Sequence, residues 1–142
     1  MEKAIIIYQS KKGTTRQLGN EIGNYLKSIG LKTSILPVDD YEGQDLSSFS
    51  YIFLGCWTKG LMVIAQHPDR EWKDLVTSLD IPENAKLAFF TTYKIATGSM
   101  FSRMQKCIPV NGRSSSLKIK SRDGHLSDRN ISMIDQYLSQ EA

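Results

Sequence analysis

Ala4-Ile5-Ile6-Ile7-Tyr8, followed closely by Ser10-Lys11-Lys12-Gly13-Thr14-Thr15-Arg16, is the stretch that decides the fold. The first five residues form an unbroken, β-branched apolar run, the signature of a strand covered on both faces. Beyond the polar segment, Leu18, Ile22, Leu26 and Ile29 recur at steps of four, four and three. That spacing predicts a helix with one buried stripe, and Gly30 stands where its C-terminal cap belongs. A doubly buried strand passing through a short polar loop into an amphipathic helix is the repeating unit of α/β proteins.

The unit recurs along the chain. A second strand reads from about Lys32 to Leu36 and ends at Pro37. Residues Asp39 to Ser50 form an acidic connection that leaves room for a short helix around Asp45, with Asp39 and Asp40 as a solvated acidic turn. Tyr51-Ile52-Phe53-Leu54 is a third strand, and Trp72, Leu75, Val76 and Leu79 mark a helix with Asp69 near its start. Leu87-Ala88-Phe89-Phe90 is a fourth strand, and Met100, Phe101, Met104 and Ile108 mark a further helix. Asn111-Gly112 signals a turn before Leu117-Lys118-Ile119-Lys120, whose alternation predicts one wet face and makes this strand the single wet edge of the sheet. Ile131, Ile134 and Leu138 give the last helix, with Ser127 as its N-cap. This order predicts an α/β fold: a three-layer, doubly wound, five-stranded parallel sheet built as a single domain over residues 1–142.

Composition agrees with a globular domain. Hydrophobic residues make up 40% and charged residues 23% of the 142, and no apolar run approaches the roughly 20 residues of a membrane span. The N-terminus lacks the basic stretch and longer apolar core of a secretory signal, so a cytoplasmic location is the expectation. Cys56 and Cys107 lie far apart, as do His67 and His125, which argues against a metal site and for cysteines that act as buried small side chains. The net charge of +3 is unevenly spread. Between Arg103 and Arg129, seven basic residues (Arg103, Lys106, Arg113, Lys118, Lys120, Arg122, Arg129) face only Asp123 and Asp128. Without aromatic residues interleaved among them, these cations do not make a nucleic-acid motif.

In a doubly wound sheet, ligands collect at the carboxyl ends of the strands, here the loops after Tyr8, Leu54 and Phe90. The first of these enters a helix, so free backbone N–H groups and the positive end of the helix dipole face outward. Gly13 lets the backbone approach an anion, and Ser10, Thr14 and Thr15 offer hydroxyls, a set that suits a phosphate dianion. The spacing matches neither the triphosphate loop nor the dinucleotide fingerprint. No nucleophile–base pair stands out: Ser99 and Ser114-Ser115-Ser116 lack a histidine partner, and His125 reads as a solvated loop residue, so no catalytic residue is assigned.

Ser10-x-x-Gly13-x-Thr15 directly after the first strand resembles the FMN-phosphate loop of flavodoxins. Gly55-Cys56-Trp57-Thr58-Lys59-Gly60 resembles their second flavin loop, and Thr91-Thr92-Tyr93 with Gly98 stands at the third. The resemblance spans essentially the whole chain. The short passage from Lys120 to Ser127 is similar to that of the short-chain group. It implies the flavodoxin-like strand order 2-1-3-4-5 with FMN at the junction of strands 1 and 3. It further implies FMN held by Ser10, Lys11, Lys12, Gly13, Thr14, Thr15, Cys56, Trp57, Thr58, Lys59, Gly60, Thr91, Thr92, Tyr93 and Gly98. Trp57 and Tyr93 are candidates to stack on the flavin ring, or else aromatics that close the sheet end.

Three features depart from the flavodoxin pattern. Lys59 replaces the usual stacking aromatic, the third loop has no Gly-Asp pair, and Lys11, Lys12, Arg16, Lys59 and Lys94 give a basic surround where carriers are typically acidic. The resemblance implies an electron carrier working between redox partners, a reductase and an acceptor. The alternatives are an FMN-dependent oxidoreductase similar to flavodoxin-like protoporphyrinogen oxidases or quinone reductases, and a flavin-free anion-binding domain. The oligomeric state is not legible.

Overall fold

The computed structural model describes residues 2–58, 68–94, 97–108 and 116–140. Five strands form one parallel sheet: β1 (Lys3–Gln9), β2 (Lys32–Pro37), β3 (Tyr51–Trp57), β4 (Lys86–Thr92) and β5 (Leu117–Ser121), in the order β2-β1-β3-β4-β5. The helices are α1 (Thr14–Ser28), α2 (Arg70–Ser78), α3 (Met100–Lys106) and α4 (Asp128–Ser139), with a 3₁₀ turn at Val38–Asp40. None of the described helices is long and apolar enough to cross a membrane.

The period-two side-chain alternation of a strand sorts the apolar runs into two cores. Ala4, Ile6 and Tyr8 of β1 join Phe53, Phe90 and Ile119 under α1 and α4, where Leu18, Ile22, Leu26 and Ile134 are fully buried. Ile5 and Ile7 join Ile52, Leu54 and Phe89 on the opposite face, against Trp72 and Val76 of α2 and Met100 and Met104 of α3. The central strands are therefore apolar on both faces through their middle, with Thr91 and Thr92 as buried polar residues at the carboxyl end of β4. The register, Ile7 opposite Leu54 and Leu54 opposite Phe89, brings their carboxyl ends to one level, so the following loops emerge side by side.

The expected boundaries hold with physical detail. Ser127 caps α4 by accepting from Asn130 N–H, and Asp69 caps α2 by accepting from Glu71 N–H. Gly30, at φ +100°, closes α1: its N–H bonds Lys27 O while Leu31 N–H bonds Leu26 O, a paired closure that needs the left-handed conformation.

Three expectations are corrected. Ile29 does not complete the buried stripe of α1; it is 44% exposed, because the helix has already turned out of register at this cap residue. Asp45 does not nucleate a helix. Its carboxylate accepts from both the N–H and the hydroxyl of Ser47, a local turn that competes with helix, and the short helical turn falls earlier, at Val38–Asp40. The sheet also has two wet edges rather than one. β5 alternates buried and exposed as expected, but β2 at the other edge is fully buried at none of its positions, and its Pro37, without an N–H, is tolerated because it ends an edge strand. The Asn111-Gly112 turn lies outside the described residues.

Candidate functional site

The loop after β1 is built around Ser10 and Gly13. Ser10 Oγ accepts from Gly13 N–H (3.0 Å) and Arg16 N–H (3.3 Å), which folds the loop back on the start of α1. Gly13 is the N-cap residue at φ +92°, with no side-chain acceptor of its own and open space where a Cβ would stand. The first backbone bond of α1 runs from Gln17 N–H to Gly13 O, and among the described residues the N–H groups of Thr14 and Thr15 have no acceptor. No acidic residue occupies the first turn, where a carboxylate would neutralise the helix dipole. Lys11, Lys12 and Arg16 are exposed around it. Unpaired N–H groups, a hydroxyl-lined turn, an uncompensated helix pole and three cations are the donor set of an anion site.

A relay of threonine hydroxyls ties this loop to its two neighbours. Thr15, buried at the start of α1, places its Oγ1 2.6 Å from Thr92 Oγ1 at the end of β4. Thr91, also buried, donates to Cys56 O (2.6 Å), and its Oγ1 lies 2.8 Å from Thr58 Oγ1. Thr58 N–H bonds Thr92 O (2.8 Å). In each hydroxyl pair one partner donates, and Thr15 or Thr92 keeps a proton for a further acceptor.

The remaining second-loop residues divide. The Cys56 side chain lies in the core on the α2 face, where its Sγ accepts from Asp69 N–H, so it can offer a ligand only backbone. Trp57 is half-buried, with Lys11 Nζ 5.0 Å from its ring centroid and its Nε1 buried without an acceptor among the described residues. Lys59 and Gly60 lie outside the described residues. After β4, half-buried Tyr93 donates its N–H to Ser121 O and has Lys120 Nζ 5.9 Å from its ring; Gly98, at φ +52°, precedes α3.

A fourth loop, after β5, belongs to the same edge and was missed by the sequence reading. Gly124, at φ +87°, packs so closely against α1 that an added Cβ would fall 2.8 Å from Thr14 O. Ser121 Oγ accepts from Gly124 N–H and Asp123 accepts from His125 N–H. His125 is exposed, as expected, yet it is paired: its Nδ1 lies 3.1 Å from Glu21 Oε2, and Glu21 Oε1 accepts from Leu126 N–H. The Asp-Gly-His sequence marks the turn, but nothing in it points to Glu21, 104 residues away.

Partial burial disfavours the Glu21 charge, but hydrogen bonds from Leu126 N–H and Gln17 together with His125 outweigh it and hold the carboxyl below its ordinary range. A carboxyl depressed on folding adds stability above its unfolded pKa and loses it as pH falls through the folded value. Glu21→Gln should therefore lower the unfolding free energy at neutral pH by less than about 1 kcal/mol for so exposed a pair, and the thermal midpoint with it. The difference should close under acid conditions below the carboxylate range. Thermal melts of both proteins across that range check this, and a pH-independent difference would contradict it.

Among the described residues no group of three or more potential ligands could hold a metal ion. Neither Cys56 nor Cys107 is in a disulfide; Cys107 is half-buried, and burial pushes its thiol pKa up.

A five-stranded parallel sheet ordered 2-1-3-4-5, whose first loop is hydroxyl-bonded to the end of β4 and whose second loop is hydroxyl-bonded to β4 in turn, defines a flavodoxin-like α/β protein. The family model described as Flavodoxin domain matches residues 5–113, and the chain belongs to that family, whose members bind flavin. Solved structures agree on the fold. A flavodoxin from the domain Archaea is 20% identical, with a TM-score of 0.63 over 94% of this chain and 92% of its own. Flavodoxin 1 from Bacillus cereus is 18% identical, with a TM-score of 0.61 over 96% and 94%. The rubredoxin oxygen:oxidoreductase of Desulfovibrio gigas, 11% identical with a TM-score of 0.69, covers 98% of this chain with 35% of its own. A comparison with curated protein sequences gave no match.

Proposed function

We propose that residues 1–142 act as one FMN-binding domain that carries electrons between a reductase and an acceptor in the cytoplasm. The observation that carries this reading is the relay Thr15–Thr92 and Thr91–Thr58, which holds the three loops together around an anion-ready helix start. The fit to FMN rests on this donor set. The Thr14 and Thr15 N–H groups, Ser10 and Gly13 would hold the phosphate, and the Trp57 indole N–H, without an acceptor among the described residues, and the loop backbone near Thr58 and Tyr93 would meet the ring. Lys59, Gly60 and Gly98 complete the proposed set. When bound, FMN supplies the redox chemistry. The chain's own task is to orient the ring, exclude water from one side and set the local field.

That field is cationic. Lys11, Lys12, Arg16 and Lys94 are exposed around the proposed site and stabilise the negative charge that reduction adds. Bound FMN should therefore be a weaker reductant than in acidic flavodoxins. Potentiometric titration of the reconstituted protein, compared with Lys11→Gln, tests both statements. Loss of the amine over Trp57 should lower the midpoint potential by some tens of millivolts, roughly 59 mV being tenfold for one electron. A protein that takes up no FMN, or potentials as negative as those of acidic carriers, would contradict the reading.

A further inference from the structure

We infer that the redox partner meets this protein with an acidic face, through a cationic arc on the β1, β4 and β5 side of the sheet's carboxyl edge. This rests on the carrier reading above and adds to it the chemistry of the partner. Lys11, Lys12 and Arg16 around the first loop, Lys94 after β4 and Arg122 after β5 are all exposed. Three contacts make them one surface rather than scattered charges. Arg122 Nη2 donates to Lys94 O (2.9 Å), Gly124 packs on Thr14 O, and Thr92 beside Tyr93 is bonded to Thr15.

The arc is not neutralised from within. The ion pairs among the described residues are Arg70–Asp74 and Glu21–His125, so none of the five cations has a described carboxylate within 4.0 Å. Asp123, the acid next to Arg122, is turned into its own loop, where it accepts from His125 N–H and Ser121 Oγ. Asp128, in the first turn of α4, and Glu21, bonded to His125 and Leu126, also border the β5 loop. Neither has one of the five cations within 4.0 Å among the described residues, and the remaining acids of this edge stand on its other side. Asp39 and Asp40 follow β2, Asp69 caps α2, and Glu71 receives Gln9. The edge is therefore split, with its positive part surrounding the loops proposed to hold FMN.

Unpaired surface cations do little for stability but project a field that steers an oppositely charged surface and fixes its orientation. Flexible lysines at a rim give fast, short-lived association, which suits a carrier that must release each partner in turn. An acidic protein fits this arc better than a nucleic acid does. Trp57 is already covered by Lys11 and Tyr93 is half-buried beside Lys120, so neither ring stands free as a stacking platform.

The test is an NMR titration of isotope-labelled protein, supplied with FMN, against three probes: an acidic plant-type ferredoxin, basic cytochrome c and a short single-stranded oligonucleotide. Ferredoxin is expected to perturb the amides of residues 11–16, Lys94 and Arg122, with an affinity that falls about tenfold between about 20 and about 200 mM salt. Arg122→Glu, at the one cation of the arc given no role toward the flavin, should weaken it several-fold while flavin absorbance is retained. Three results would overturn the proposal: no localised perturbation, equal binding of cytochrome c to the same residues, or tighter binding of the oligonucleotide. Flavin absorbance in the same samples separates the two readings. A mapped surface in protein that takes up no FMN keeps the docking face and removes the flavin carrier, and bound FMN without a mapped surface does the reverse.

Discussion

Phe90→Ala is expected to destabilise the protein by about 3–5 kcal/mol, a large part of the margin of an ordinary domain. Phe90 is fully buried near the carboxyl end of β4, and its ring fills the space over Gly55 of β3 and Gly19 of α1. Gly55 has no side chain because the Phe90 ring occupies the position that a Cβ would take. Gly55→Ala is the reciprocal change. It forces overpacking on a central strand, at about 1–3 kcal/mol or more, since neither the strand backbone nor a buried ring can move aside freely. Urea unfolding of both variants checks the pair, and losses below about 1 kcal/mol would show that this contact does not hold the edge. Because Phe90 directly precedes Thr91 and Thr92, the same variant should also loosen the loops above it.

The second large effect is expected in the hydroxyl relay. Thr15→Val and Thr92→Val each leave a buried hydroxyl without its partner, at about 1–3 kcal/mol apiece. The double variant removes both groups and should cost clearly less than the sum, a positive coupling of about 1 kcal/mol or more in the double-mutant cycle. Each single variant should also weaken FMN binding, because Thr15 is in the phosphate loop and Thr92 in the third loop. Additive losses, or unchanged FMN affinity, would mean that the 2.6 Å contact does not connect the loops energetically.

The strands and the core were legible because central parallel strands leave little choice of residue, whereas the strand order came from the resemblance to flavodoxins. Ala4 to Tyr8, Tyr51 to Leu54 and Leu87 to Phe90 must be apolar on both faces, and that shows without any partner in view. Polar segments are less determined. Asp45 reads as part of a helix only until Ser47 captures its carboxylate, and Ile29 falls on the apolar period although the helix ends before it. The three loops in which the proposed site is placed were legible from their positions at the strand ends. The bonds within it were not, because Thr15–Thr92 and Thr58–Thr91 join residues 77 and 33 positions apart. Cys56, taken from the flavodoxin pattern as a flavin contact, turns its thiol into the core, since alternation along β3 sends it to the α2 face. The β5 loop was overlooked because the close approach of Gly124 to Thr14 is purely tertiary.

Calorimetric titration of the purified protein with riboflavin 5′-phosphate, and separately with riboflavin, tests the central claim most directly. If the start of α1 receives the phosphate, the phosphorylated flavin should bind at one site with quenched fluorescence, and riboflavin at least about a hundredfold more weakly, a difference of about 2.7 kcal/mol. Equal binding of the two, or no heat from the phosphate ester, would contradict it.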